Sequence, residues 1–208
     1  MSDVFRFRIA EQGSPDLDRW LELRTTLYLE SGLINDDQVD ANGMYVDQYD
    51  DYSTHLLASD DAGVDIGCCR IIEPQGDQTL PVTDLFGIEP LPRSYEASGV
   101  AVLPRYRKAL VSLGMYRAIA DLADQKGYEY SYSIVEEPVL AALRGLGYPI
   151  RVLSEPLFVF NAPNVAAVID RNETLAAMEK FDSALSSLFL RYYRKPFEWS
   201  LTESDLAP

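Results

Sequence analysis

The chain has 208 residues, 47% of them hydrophobic, with 18 Lys and Arg against 33 Asp and Glu and a formal net charge of −15. So much apolar content excludes a disordered chain, and the length suits one domain, or one domain with an appended piece. The acidic balance excludes nucleic acid and anionic membrane surfaces as natural partners, because their phosphates would be repelled. No stretch approaches the ~20 apolar residues of a membrane span and no signal-peptide pattern precedes Phe5, so a cytoplasmic location is expected. Cys68 and Cys69 are adjacent. In a strand they would face opposite sides, as small core residues of a reduced compartment rather than a disulfide framework. No metal is expected.

In chain order, Val4, Phe5, Phe7 and Ile9, with Arg6 and Arg8 between them, read as a first strand at a sheet edge. Ser14-Pro15-Asp16 starts a helix, with Ser14 as N-cap and Pro15 at the first helical position. Its core stripe is Leu17, Trp20, Leu23 and Leu27. Arg24 and Tyr28 are four apart and project together from a neighbouring face, and on spacing alone Arg24 reads as half of a surface ion pair. Residues 30–53 carry Asp36, Asp37, Asp40, Asp47, Asp50 and Asp51, interleaved with Tyr45, Tyr49 and Tyr52. Carboxylates this close need cations, solvent or a cationic ligand, and for Asp36, Asp37 and Asp51 solvent is the better account.

A hairpin follows, with strands at 53–59 and 64–72 around the turn Asp60-Asp61-Ala62-Gly63. It carries Gly67, Arg70 and His55, the only histidine, which reads as a hydrogen-bonded structural residue. Residues 74–92 form a turn-rich connection anchored by Leu85 and Phe86. An apolar strand at 96–103 then ends at Pro104. A basic turn with Arg105, Arg107 and Lys108 opens a helix in which Val111, Met115, Ala118, Ile119 and Leu122 share a face. Such a corner presents free backbone N–H groups and the positive end of a helix dipole, which suits an anion such as a pyrophosphate. A strand at 129–135, a short helix at 138–144 and a last strand at 150–160 come next. Asn161-Ala-Pro163 breaks to a helical tail, in which Leu175, Met178, Asp182, Leu185, Leu188, Phe189 and Tyr192 hold helical spacing. That stripe suits packing within the chain, with monomer and homodimer both open.

The Val-x-Pro-x-Tyr-Arg run from Val102 to Arg107, ahead of an amphipathic helix, resembles the coenzyme A loop of the GNAT acyltransferase superfamily. Arg107 takes the arginine position of that loop, while Leu110 and Ser112 fall where two small residues are expected. The order of elements is also similar. This resemblance implies an α/β (α+β) fold over residues 1–162, with a mixed, mostly antiparallel sheet flanked by helices, and a C-terminal helical extension over 163–208. It implies that the parallel strands at 96–103 and 129–135 splay apart. The pantetheine arm of an acyl-CoA or acyl-phosphopantetheine thioester would lie in that slot, against Val100, Ala101 and Val102. Its phosphates would sit at Arg107, Lys108, Ala109, Leu110, Val111 and Ser112.

A narrower ordered series is Arg24 and Tyr28, Asp47-Gln-Tyr-Asp50, Gly67-x-x-Arg70, Phe86 and Glu96-x-Ser. Together these residues resemble the acyl-homoserine-lactone synthases and the related long-chain N-acyl amino acid synthases. Three positions depart from the patterns. Gly99 stands where lactone synthases have Arg, Leu33 or Ile34 where they usually have Trp, and Leu143 where many GNAT enzymes carry a Tyr acid. The resemblance implies an N-acyltransferase that moves acyl from CoA, or from an acyl carrier protein, to an amino-acid-like small-molecule amine. Glu96 would accept the amine proton, and Asp47 and Asp50 would hold the ammonium. Arg24 or Arg70 would pair with a substrate carboxylate or order those aspartates, and a backbone N–H near Val102 would receive the oxyanion. Short-chain acetyl transfer, and a GNAT-like binding module without turnover, are the alternatives.

Overall fold

A computed structural model describes residues 4–107, 111–181, 183–194 and 199–202. The elements in order are β1 (Val4–Ala10), α1 (Pro15–Glu30), β2 (Ser53–Ser59), β3 (Asp65–Ile72), α2 (Pro81–Phe86), β4 (Ser94–Val102) and α3 (Val111–Gln125). There follow β5 (Tyr130–Glu136), α4 (Glu137–Gly145), β6 (Ile150–Val152), β7 (Leu157–Val159), β8 (Ala162–Asp170), α5 (Arg171–Lys180), α6 (Ala184–Arg194) and β9 (Ser200–Thr202). The strands form one sheet in the order β6-β8-β5-β4-β3-β2-β1-β9, with β7 also paired to β8. Every pairing is antiparallel except that of β4 with β5. Among the described residues no helix is long and apolar enough to cross a membrane.

Period-two alternation sends neighbouring residues to opposite faces. Cys68 packs with Trp20, Leu27 and Leu57 under α1, while Cys69 packs with Phe5, Met115 and Ile119 under α3. Both cysteines are buried and free, as their adjacency predicts. The α3 helix lies unusually close to the sheet, because a Cβ at Gly114 would come within 2.2 Å of the Phe7 ring. Each fully buried Leu, Ile or Phe of these layers contributes roughly 1.5–3 kcal/mol.

The fold agrees with the expected mixed sheet and differs in four places. β1 is not an edge, because β9 pairs along its outer side at Val4–Thr202, Phe5–Leu201 and Arg6–Ser200. Ser14 has the extended backbone of an N-cap, yet its hydroxyl donates to the Glu11 carbonyl at 2.7 Å and caps nothing. The connection at 74–92 contains α2, and Leu80 and Val82 are buried there with Phe86 packed against them, while Leu85 is 37% exposed, so Phe86 anchors the segment and Leu85 does not. The chain from 150 on holds four strands, β6 to β9, rather than one. Residues 162–170 form β8 between β5 and β6, so the helical part begins at Arg171 and the line expected at 162/163 runs at the start of a sheet strand. Helical spacing in the tail then breaks between α5 and α6, with Asp182 outside the described residues. Met178 and Phe189 are buried in the main core, which is the intramolecular packing expected of that stripe.

Candidate active site

β4 and β5 pair over only three residues each, at Ser94–Tyr130, Tyr95–Ser131 and Glu96–Tyr132. β4 stays with β3 as far as Val102, while β5 stays with β8 as far as Glu136, so the two strands part beyond Glu96. On the β3 side the register of β4 shifts opposite Cys69, and within that bulge Gly99 has φ +66°. A left-handed residue at a bulge bends the strand and selects glycine. A Cβ there would also come within 2.8 Å of the Tyr28 hydroxyl. A side chain at 99 is therefore disfavoured twice, by backbone and by neighbour.

The fork opens into a cavity of about 410 Å³, within the usual range of small-molecule sites. On the α1 side its walls include Tyr28, Tyr45, Asp47, Tyr49, Arg70 and Glu96. It continues past Ser98, Val100, Ala101 and Ser133 to the α3 side, where Ile119, Leu143 and Ile169 line it. The gap is open rather than filled by side chains of the chain itself.

Glu96 stands at the fork, 1% exposed. One carboxylate oxygen accepts the Val82 backbone N–H at 2.9 Å, in the first turn of α2 where N–H groups lack helical partners. Burial pushes its pKa up to about 8, overcoming the opposing pull of that hydrogen bond and of Arg70, while Asp84 and Asp47 push it up further. The partner of Glu96 had a sequence signal that went unread, namely Pro81 at the first position of a helix. α2 is latched to the acidic loop, since Asp84 accepts from the Tyr49 hydroxyl at 2.8 Å and from the Gln48 amide at 3.0 Å.

Below the mouth lies a network of two arginines and two aspartates. Arg70 donates to both oxygens of Asp47, at 2.7 and 2.8 Å, and also to Asp50. Arg24 donates to Asp50 at 3.1 and 2.7 Å and to the Tyr45 carbonyl, with its guanidinium over the Trp20 ring at 4.4 Å. His55 Nε2 lies 3.2 Å from Asp50, so this histidine is hydrogen-bonded and structural, in agreement with its expected role. Burial alone would raise the Asp50 pKa, yet His55, Arg24 and Arg70 hold it well below the usual carboxylate range.

These contacts divide the expected catalytic residues. Glu96, Asp47 and Arg70 line the cavity. Arg24 is wholly buried rather than a surface ion-pair partner, and Asp50 is 7% exposed, so both stand behind the cavity wall. Asp50 has both oxygens occupied by protein donors, including the Asp47 backbone N–H at 3.0 Å, and is not free to hold an ammonium. Asp36, Asp37 and Asp51 face solvent as expected. Among the described residues no group of three or more His, Cys, Asp or Glu could hold a metal ion.

On the donor side, Val100 and Ala101 line the cavity, whereas Val102 is buried among core residues and cannot face a ligand. The Val102 carbonyl accepts the Arg107 Nε at 3.3 Å, which draws the basic corner in beside the fork. Pro104–Tyr106 forms a turn of 3-10 helix, with Arg105 over the Tyr106 ring at 4.9 Å and the Tyr106 hydroxyl donating to Asp60 at 2.7 Å. Val111 opens α3 and is buried, while Ser112 is half-buried in its first turn. Lys108, Ala109 and Leu110 of the expected phosphate loop lie outside the described residues. Leu143, at the position of the missing tyrosine acid, is an apolar wall of the cavity.

A sequence profile of the family described as autoinducer synthase matches residues 14–177. No curated protein matches the chain. Among solved structures, BjaI, a CoA-dependent acyl-homoserine lactone synthase with SAM and isopentyl-CoA, superposes with a TM-score of 0.67 at 20% identity, over 86% of this chain and 82% of its own. The AHL synthase LasI gives a TM-score of 0.68 at 20% identity, over 83% and 93%. FeeM, an N-acyl amino acid synthase from uncultured soil microbes, gives 0.64 at 15% identity, again over 83% and 93%. At these identities the structural likeness is one of fold, and it is the GNAT-like fold expected from the loop and the order of elements.

Proposed function

The chain belongs to the autoinducer synthase family and is an acyltransferase, and we propose that it takes acyl from an acyl-CoA or acyl-carrier-protein thioester and transfers it to the amino group of an amino-acid-like small molecule. The observation that carries this reading is the fork itself. Two strands part at Glu96, the cavity passes between them, and a basic corner stands at the outer end of β4. A thioester laid along Val100 and Ala101 brings its carbonyl to Glu96, with its phosphates toward Arg107 and the first turn of α3.

An amine is mostly protonated at neutral pH, so it must lose a proton before it attacks. Asp47 is paired with Arg70 through both oxygens and so fixes that guanidinium at the cavity wall, and the Glu96 carboxylate takes the proton. A carboxyl with a pKa near 8 is a far better base for an amine than an ordinary one. The nitrogen lone pair then forms the C–N bond, backbone N–H groups on the β5 side of β4 receive the oxyanion, and the C–S bond breaks to release the thiolate. Much of the acceleration comes from holding the two reactants at the fork. Arg70 reaches the cavity and suits a substrate carboxylate, while Arg24 and Asp50 act as positioning residues behind it. The space on the α3 side supports a chain longer than acetyl.

The test is thiol release from acyl-CoA and from acyl-carrier-protein donors of increasing chain length, with and without amino-acid acceptors, in the native protein and Glu96→Gln. Amine-dependent release that collapses in the variant is expected. Release at no chain length with either donor removes the enzymatic reading, and equal release in both proteins removes the role of Glu96.

A further inference from the structure

On the α3 side the cavity is lined, beside its apolar residues, by side chains that a plain fatty chain does not need. Tyr95, Tyr116, Tyr148, Tyr193, Thr174 and Arg171 all line it. Arg171 lies by the far end of α3, where it donates to the carbonyls of Tyr128 and Ala120, both at 2.7 Å, and to Asp124. Two of the phenols are already partnered, Tyr95 with Ser131 and Tyr193 with Arg171. Tyr116 and Tyr148 meet edge to face, with ring centroids 6.5 Å apart, and among the described residues their hydroxyls make no hydrogen bond. Both sit deep in the protein, where burial pushes the Tyr116 phenol up to about 12 and the Tyr148 phenol well above its ordinary value. Both nonetheless keep accessible surface, and that surface belongs to the cavity.

A hydroxyl facing an alkyl chain is left unpaired, and an unpaired buried polar group is costly. Apolar side chains such as Ile119, Leu143 and Ile169 suffice for a saturated chain, whereas this wall adds phenols, a threonine and a guanidinium. We propose that the acyl group carried by this enzyme bears a hydrogen-bonding group, such as a hydroxyl, at its distal end, paired there by the free hydroxyls of Tyr116 and Tyr148. The inference rests on the donor reading of the fork and goes beyond it by naming the chemistry of the acyl terminus.

Calorimetric titration with ω-hydroxyoctanoyl-CoA and octanoyl-CoA tests it. The native protein is expected to bind the hydroxylated thioester about tenfold more tightly, because a site built to pair a hydroxyl disfavours the analogue that lacks one. Tyr116→Phe/Tyr148→Phe, which deletes only two oxygens, brings that ratio close to one. Circular dichroism and the melting temperature check that the variant is folded, and Tyr148→Phe alone serves if the double variant is not. Equal binding of the two thioesters by the native protein, or a ratio untouched by removal of the hydroxyls, overturns the proposal while leaving the donor reading standing. Binding of neither thioester overturns the proposal, and overturns the donor reading as well if acyl-carrier-protein donors also give no thiol release.

Discussion

Replacing Glu96 by Gln keeps an acceptor for the Val82 N–H and removes only the ability to ionise. In the folded protein this carboxyl titrates near 8, against 4.5 for an ordinary glutamate, because the site withholds water from the charged form. The raised value fixes the sign. Below about pH 4.5 both folded and unfolded chains hold the proton, and Glu96 has no pH-dependent effect on stability. Between 4.5 and 8 the unfolded chain releases its proton while the folded protein retains it, so stability falls as pH rises, and above 8 the loss is complete. At 1.36 kcal/mol per tenfold change, the gap bounds the loss at roughly 4–5 kcal/mol, and relaxation of the cavity wall brings the expected figure to about 2 kcal/mol. Urea unfolding of native protein and Glu96→Gln at about pH 5 and pH 9 measures it. The native protein should lose that much relative to the variant across the interval. The variant's amine-dependent thiol release should fall by about 10²–10⁴-fold, and the native limb that rises with pH toward 8 should disappear from its profile. Parallel stability curves would refute the protonated, dry carboxyl. A variant with native rates and an intact limb would refute its role as base.

Other outcomes follow from the same geometry. Asp50→Asn leaves Arg24 and Arg70 short of their shared carboxylate, and urea unfolding should register a loss of about 3–5 kcal/mol. Because the Asp50 pKa is held low when folded, its contribution is present above about 3.8 and is lost as pH falls further, so the difference between the two proteins should shrink on acidification. Gly99→Ala meets a left-handed backbone and the Tyr28 hydroxyl, and should cost about 1–3 kcal/mol in thermal unfolding, with Tyr28→Phe recovering part of it. Arg107→Ala should weaken binding of CoA itself severalfold in calorimetry at low salt and by less at high salt, since a charge on an exposed corner is screened.

Much of the site was legible as types and order. The ordered series from Arg24 to Glu96 placed the network and Glu96 on the right elements, because each lies within a short motif whose neighbours settle its strand or helix. What the series could not say is which members meet solvent. Arg24 follows the spacing of an exposed helical face, yet the loop carrying Asp50 folds over it and buries it completely. Spacing along one helix carries no information about a segment some twenty residues away that closes upon it. Val102 belongs to the expected donor strand, and only the bulge at Gly99 determined which residues of that strand turn into the core.

Alternation, helical spacing and the charges at 105–108 by themselves predicted most of the strands and helices and a basic corner between β4 and α3. Those features are local, written by alternation, caps and charges within a dozen residues. Only the tertiary structure decided that β9 covers β1, that the chain after 161 returns as β8, and that burial at the fork raises the Glu96 pKa against the pull of the α2 N–H. It alone also gathered four tyrosines from β4, α3, α6 and the segment after α4 into one chamber. Each of these depends on pairing or burial between distant segments. Burial changes what a side chain is chemically without changing anything in its neighbouring sequence.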